Sequence, residues 1–331
     1  MQTDAIIFTR KEEATIGKLE VPPPCEGEIQ VRSHYATISV GTEGWIFRNL
    51  FTWSPTPFPC VPGYQRAGIV TAVGPKVESW KVGDRAMAVI GTWSGKEVES
   101  FWGGHIAIAN VPTSFAFHLD DKMHDIDASG AVVAQVGYNA AHRPSYGAGD
   151  WVVVYGDGII GQSAAQAARA RGARVILVGH RKERLDLGKQ FSADAVVNSK
   201  TEGVVKAVRK IAGAETVPVI LDSVQTLDSQ KQYIDLLKPA QGQIVYNGFT
   251  PNDQWANMGL LQQRELTTHF VAGWTRPRME ATLALMASGK MQVRPLVTHL
   301  VPYTRGPEMY RMIVEKKEPF LAITLDWRAS K

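Results

Sequence analysis

The residues best suited to chemistry stand in one short run, Val152-Val153-Val154-Tyr155-Gly156-Asp157-Gly158-Ile159-Ile160-Gly161. An apolar strand here enters a G-x-G-x-x-G turn and continues into a helical stretch, Gln162 to Arg171. The three glycines serve different ends. Gly156 permits the tight turn, Gly158 lets backbone approach a pyrophosphate, and Gly161 allows close packing of helix on strand. The free N–H groups of that helix's first turn then face the phosphates at the positive end of the helix dipole, and Ile159 and Ile160 in the turn join the glycines as cofactor-binding residues. With this flanking the pattern reads as a dinucleotide site; the bland alternative is an ordinary glycine turn in an α/β sheet.

The next strand, Arg174-Val175-Ile176-Leu177-Val178, would end in an acid if the dinucleotide were NAD, because that carboxylate binds the ribose 2′-hydroxyl. It ends instead in Gly179-His180-Arg181-Lys182, a small residue followed by cations. That sequence leaves room and counter-charge for a 2′-phosphate, with Arg181 the best bidentate partner, so NADP is expected ahead of NAD. Two readings stay open beside it: His180, Lys182 and Arg184 solvating a helix start, and an arginine stacked on adenine in an NAD enzyme. Asp222 after Val219-Ile220-Leu221, and Asn247-Gly248-Phe249 after Ile244-Val245-Tyr246, stand at carboxyl ends of sheet strands, the rim where ligands sit in open α/β folds.

The elements that must hold these residues fall into two textures. Up to about residue 120 short β-rich runs alternate with Gly and Pro, as in Ala5–Phe8, Glu28–Arg32, Ala67–Val73 and Arg85–Ile90, which predicts a small, partly open antiparallel barrel. From 128 to about 270 apolar strands alternate with Ala-rich helical stretches, the signature of βαβ units around a parallel sheet. The tail carries a predicted helix from Arg278 to Ser288, a Pro-bounded stretch at Val297–Pro302 and a last strand, Phe320–Leu325. A length of 331 residues, 44% hydrophobic and 21% charged, suits one large or two ordinary domains with buried cores. The formal charge of +4 is too dilute for a nucleic-acid surface. Two cysteines, Cys25 and Cys60, exclude a four-Cys structural zinc lobe, and no apolar run approaches the ~20 residues of a bilayer span. The expectation is a soluble cytoplasmic protein with a small-molecule substrate, and with neither a nucleic-acid nor a membrane partner.

The order of parts resembles the medium-chain dehydrogenase/reductase superfamily, the zinc alcohol dehydrogenase-like proteins. The resemblance is carried by Gly63-Tyr64-Gln65-Arg66-Ala67-Gly68-Ile69-Val70 and Val82-Gly83-Asp84-Arg85, by the glycine-rich unit, and by the return to β-rich sequence at the end. It implies an α/β protein with a GroES-like, partly open β-barrel catalytic domain (1–122 and 271–331) and a Rossmann doubly wound parallel sheet (123–270). Zinc relatives place an early Cys, a Gly-His-Glu motif and a later Cys, Asp or Glu around the metal. In this chain those positions fall at Ser39 or Val40, at Tyr64 and Gln65, and near Ala134 or Gln135. A catalytic zinc needs three protein ligands, so no metal is expected, and the chain reads as a subgroup lacking the zinc ligands.

Without a Lewis acid the carbonyl must be polarised by hydrogen-bond donors and a proton relay. The resemblance puts Thr42 and Tyr64 beside the usual metal position, with Tyr64 as proton donor and Glu43 or Gln65 orienting it. Tyr64 has a bland reading as a packed aromatic, and Glu43 one as an ion pair with Arg66. Asn139, after the segment normally near the nicotinamide, reaches toward the carboxamide, while Tyr138 and His142 belong to the same stretch. The aromatic crowd in the first domain, Trp45, Trp53, Trp93 and Trp102 with Phe47, Phe51 and Phe101, reads as a substrate wall or a dimer contact, with part of it core.

These residues imply zinc-independent interconversion of an alcohol, polyol or sugar hydroxyl and its ketone with NADP(H), NAD being the alternative cofactor. Reduction of an activated C=C bond, as in quinone and enoyl reductases, is the second reading, and a non-catalytic NADPH-binding sensor the third. Strand Thr267–Val271 is expected at a sheet edge, where family resemblance pairs two copies into a homodimer.

Overall fold

The structure, a computed structural model, describes residues 1–51, 54–250 and 254–330. The chain opens with β1 (Gln2–Arg10), β2 (Glu13–Glu20), β3 (Glu28–Ile38), helix α1 (Val40–Phe47), β4 (Cys60–Val61), β5 (Arg66–Val73), β6 (Arg85–Ala88), β7 (Glu99–Ser100), β8 (Ile108–Pro112), β9 (Ala116–His118) and α2 (Asp125–Ala128). It continues through α3 (Ala131–His142), β10 (Trp151–Tyr155), α4 (Ile159–Ala170), β11 (Arg174–Gly179), α5 (Lys182–Leu187), β12 (Ala195–Asn198), α6 (Val204–Ala212) and β13 (Val219–Asp222). After α7 (Leu227–Tyr233) come β14 (Gln243–Tyr246), α8 (Met258–Gln263), β15 (Thr267–Phe270), α9 (Arg276–Ala287), β16 (Val297–Pro302), α10 (Gly306–Glu315) and β17 (Ala322–Asp326).

Two units result, one of residues 1–132 with 297–331 and one of residues 133–296, so the division falls inside α3. The first is the expected mainly antiparallel β unit. One sheet runs β2-β1-β4-β7; the other runs β16-β17-β3-β5-β6-β9, with β8 also on β3. The last strand, β17, lies antiparallel to β3 with Ile323 opposite Ile38, so the chain's end completes a sheet begun near its start. Its core gathers Ile6, Phe8, Ile38, Ile46, Phe47, Tyr310, Ile313, Ile323 and Trp327, all buried. Arg66 is buried in the same unit and donates to the Val31 and Ile90 carbonyls and to Ser33 Oγ.

The second unit is a six-stranded parallel sheet in the order β12-β11-β10-β13-β14-β15. Numbered within the unit this is 3-2-1-4-5-6, the doubly wound order, and the reversal lies between β10 and β13. The central strands are continuous apolar runs because helices cover both faces: Val152, Val153, Val154, Ile176, Leu177 and Ile220 have no exposed surface. The unit extends past residue 270 through α9, and Gln166 of α4 is tied to the backbone of Gln292 just beyond that helix.

Two local features differ from the sequence-based expectation. Helix α4 begins at Ile159, inside the glycine motif, because Gly158 already has extended geometry and acts as its N-cap. Helix α10 has no counterpart among the expected elements, although Pro307 at its first turn and buried Met309, Tyr310, Met312 and Ile313 on one face are the ordinary marks of a surface helix.

Candidate active site

In the second unit the three glycines hold their expected positions for separate geometric reasons. Gly156 sits at φ +119°, where a side chain is strained, and a Cβ there would lie 2.2 Å from Ser223 Oγ. A Cβ on Gly161 would lie 1.9 Å from the Gly156 carbonyl oxygen, so helix α4 packs this closely on β10 only because the residue is glycine. A Cβ on Gly158 would meet nothing within 4 Å, and no side chain caps α4. The first-turn N–H groups of the helix are thus left without a side-chain cap, the condition under which a helix N-terminus takes an anion.

Beside this cradle the Asp157 carboxylate takes a place that sequence reasoning passed over. It is 3% exposed, and its Oδ2 accepts the backbone N–H groups of His180 and Arg181, each at 2.9 Å. Its Oδ1 faces Arg181 Nη1 at 3.1 Å and Arg184 Nη1 at 3.5 Å. Burial alone would raise this carboxyl's pKa, but the two backbone donors and the two guanidiniums outweigh it and hold the group below the ordinary carboxylate value. His180 is shifted the opposite way from a cation's usual gain: burial and the neighbouring Arg181 push it down, so its ring is neutral near pH 7. Lys182 turns along its own helix to Asp186, at 2.6 Å. Burial also pulls Arg184 down, to about 10, which leaves it charged at neutral pH.

Asn139 is 3% exposed; its Oδ1 accepts from Arg143, while Nδ2 has no hydrogen-bond partner among the described residues. Asn247, 1% exposed, has neither side-chain atom paired. Gln135, one turn before Asn139 on α3, is likewise buried with both amide atoms unpaired. Buried amides left this way suit a polar ligand. Phe249, beyond β14, is 46% exposed. Asp222, expected at the ligand rim, instead turns inward. Its carboxylate accepts from the Val224 and Gln225 N–H groups and from the Tyr233 hydroxyl at 2.8 Å, and it has no exposed surface.

In the first unit a second polar cluster surrounds Glu43, which has no exposed surface. Its Oε1 accepts the Ser39 N–H at 2.8 Å; its Oε2 accepts from His105 Nε2 at 2.7 Å and from the Tyr310 hydroxyl at 2.5 Å. Burial, then the Glu43 charge, raise the Tyr310 pKa well above the ordinary tyrosine value. His105 Nδ1 has no hydrogen-bond partner among the described residues. The alternative pairing of Glu43 with Arg66 is thus corrected: Arg66 spends its donors on Val31, Ser33 and Ile90.

Next to this cluster the Tyr64 hydroxyl donates to Ser39 Oγ and is also hydrogen-bonded by Thr42. Burial is the main reason its pKa lies far above the ordinary value, and the charge of Glu43 adds to it, so Tyr64 keeps its proton at neutral pH. Gln65 uses its amide to hold backbone. Nε2 donates to the Thr37 carbonyl and Oε1 accepts the Val132 N–H, both at 3.0 Å, tying backbone to backbone. Trp102 meets Tyr64 edge to face with centroids 4.9 Å apart. Trp45 stands against Phe51, and Trp93 donates its indole N–H to the Val98 carbonyl and packs with Val98 on the cluster of Ala5, Ile7 and Val61. Trp53 lies outside the described residues. His105 and Tyr310 escaped sequence reasoning because neither stands in a motif; the one available signal was a histidine in an otherwise apolar run, Gly103 to Ala109.

Two protein families match this chain: Alcohol dehydrogenase GroES-like domain over residues 25–121 and Zinc-binding dehydrogenase over residues 160–288. Over these two segments the chain is similar to the zinc-type alcohol dehydrogenase-like proteins, and it shares their fold. An uncharacterised zinc-type alcohol dehydrogenase-like protein of Escherichia coli is 27% identical over 82% of this chain and 84% of its own length. The 2-desacetyl-2-hydroxyethyl bacteriochlorophyllide A dehydrogenase of Cereibacter sphaeroides is 24% identical over all of both chains. A zinc-binding dehydrogenase of Sinorhizobium meliloti solved with NADP shares the fold, with a TM-score of 0.84 at 19% identity over 98% of this chain and 99% of that one.

Substitution of the glycines separates packing from ligand approach. Gly161→Ala should lower the melting temperature by several degrees, reflecting roughly 1–3 kcal/mol of overpacking, whereas Gly158→Ala should leave stability unchanged and weaken dinucleotide binding in a titration. The depressed carboxyl of Asp157 contributes stability above its ordinary value of 3.8, lost as pH falls through the folded-state pKa. Asp157→Asn should accordingly lose less melting temperature than the parent protein between pH 6 and about pH 3, read by calorimetry.

Proposed function

We propose that the chain is an NADP(H)-preferring oxidoreductase that interconverts an alcohol, polyol or sugar hydroxyl and its ketone without a catalytic zinc ion, with Tyr64 as the proton donor. The observation that carries the reading is the Tyr64 hydroxyl, seated against Ser39 Oγ and Thr42 where the family resemblance puts metal ligands. The nicotinamide of such a cofactor supplies or accepts a hydride at the carbonyl carbon. Tyr64 supplies the proton. Its hydroxyl first polarises the carbonyl oxygen by hydrogen bonding, then protonates the alkoxide, a far stronger base than a tyrosinate. Ser39 and Thr42 hydroxyls remain beside the phenolate to stabilise it and pass a proton back.

Zinc suits these residues poorly. Ser39 and Tyr64 satisfy each other, the Gln65 amide is occupied by backbone, and Glu43 is enclosed by three donors. Among the described residues no three His, Cys, Asp or Glu side chains come together as a ligand set. The anion-facing turn at α4 and the buried unpaired amides of Asn139 and Asn247 suit a dinucleotide, and Arg181 and Arg184 support a 2′-phosphate over a bare ribose. Two copies pairing along β15, whose only partner among the described strands is β14 and whose Phe270 is 55% exposed, would give a homodimer. A cytoplasmic location accords with the absence, among the described residues, of any helix long and apolar enough to cross a membrane.

NADPH oxidation should be measured across ketoses, aromatic ketones, quinones and enones. Turnover is expected on a ketone, resistant to chelators, and Tyr64→Phe should cut kcat about hundredfold or more with little change in NADPH affinity. Turnover confined to quinones or enones, zinc-dependent activity, or an unimpaired Tyr64→Phe enzyme would refute the respective part of the reading.

A further inference from the structure

The glycine at the end of β11 and the acid in the glycine-rich turn are two halves of one arrangement. A Cβ on Gly179 would fall 2.5 Å from the Asp157 Cβ and 2.6 Å from its Oδ2, so the Asp157 side chain fills the space a residue at the strand end would use. An acid at that strand end is what ordinarily selects a free 2′-hydroxyl. Here a carboxylate stands beside the strand end from the turn after β10, and the N–H groups of His180 and Arg181 hold it there.

Its other oxygen already lies against two guanidiniums of unequal freedom. The Arg184 side chain is 13% exposed and hemmed in, whereas that of Arg181 is 41% exposed and able to turn outward. We propose that Asp157 sets the cofactor ratio of this enzyme by acting as an internal anion that competes with the 2′-phosphate of NADP for Arg181. In the protein without dinucleotide the carboxylate neutralises the arginine; when a 2′-phosphate arrives, Arg181 must be shared with it or released to it, and the fixed negative charge of Asp157 opposes the incoming one. NAD, lacking the phosphate, meets no such opposition. The inference rests on the reading that Arg181 faces the 2′-phosphate.

Dissociation constants of the full-length protein for NADPH, NADH and 2′,5′-ADP test both. Asp157→Asn keeps the size of the side chain and an oxygen for the two backbone donors while removing the charge. It should bind NADPH and 2′,5′-ADP about tenfold tighter, the scale of one charge-assisted contact, with NADH within about twofold of the parent. Asp157→Ser, smaller but still an acceptor, should move the ratio in the same direction, which guards against an effect of misfolding in either variant. In an Arg181→Ala background the gain should vanish. An unchanged or weakened NADPH affinity in both Asp157 variants, with Arg181→Ala still impairing NADPH binding, would overturn the competition and leave the reading of Arg181 standing. If Arg181→Ala leaves NADPH binding untouched, the reading of Arg181 fails and the competition with it.

Discussion

A carboxylate cut off from water must be met by donors from the protein, since an uncompensated buried charge costs roughly 3–5 kcal/mol. Glu43 is met by three, and they come from distant parts of the sequence: the Ser39 N–H at the start of α1, His105 after β7, and Tyr310 on α10. The requirement joins the beginning, middle and end of the first unit at one point. It also fixes the N-terminus of α1, whose Ser39 then presents its hydroxyl to Tyr64. The apolar shell of Phe8, Phe47 and Ile313 around these groups keeps water out and makes each hydrogen bond count.

The same electrostatics explains why the position beside Glu43 holds hydroxyls. A phenol next to a buried negative charge keeps its proton, and a hydroxyl that keeps its proton stays able to donate a hydrogen bond. In the second unit the balance is reversed: cations gather near the end of β11, and one buried acid, Asp157, holds them. Each cluster is therefore built around a buried carboxylate that holds its neighbours in place.

The cradle itself rests on steric exclusion. Gly161 and Gly156 are glycines because backbone and side-chain atoms stand where their Cβ would be, while Gly158 is glycine with space in front of it. Close packing and open space are thus separate surroundings of the same residue type within one turn, and of the three glycines only the middle one has room for a Cβ.

Much of this was legible in the residues. Period and composition distinguish the antiparallel unit from the βαβ unit, because a strand buried on both faces must be apolar throughout and a glycine turn before a helix has few other uses. That Tyr64 and Gln65 follow Gly63, with Ser39 and Val40 upstream, could be read from position alone. What the linear order could not disclose was which polar groups meet. Glu43 stands beside Tyr310, 267 positions later, and not beside Arg66; Gln65 ties backbone to backbone; Asp222 turns inward; and Asp157 reaches Arg184. Local sequence determines backbone shape and burial because these follow from each residue's own sterics and hydrophobicity. The pairing of buried polar groups is settled only when the whole chain has packed, since each donor must find whichever acceptor the fold brings within about 3 Å.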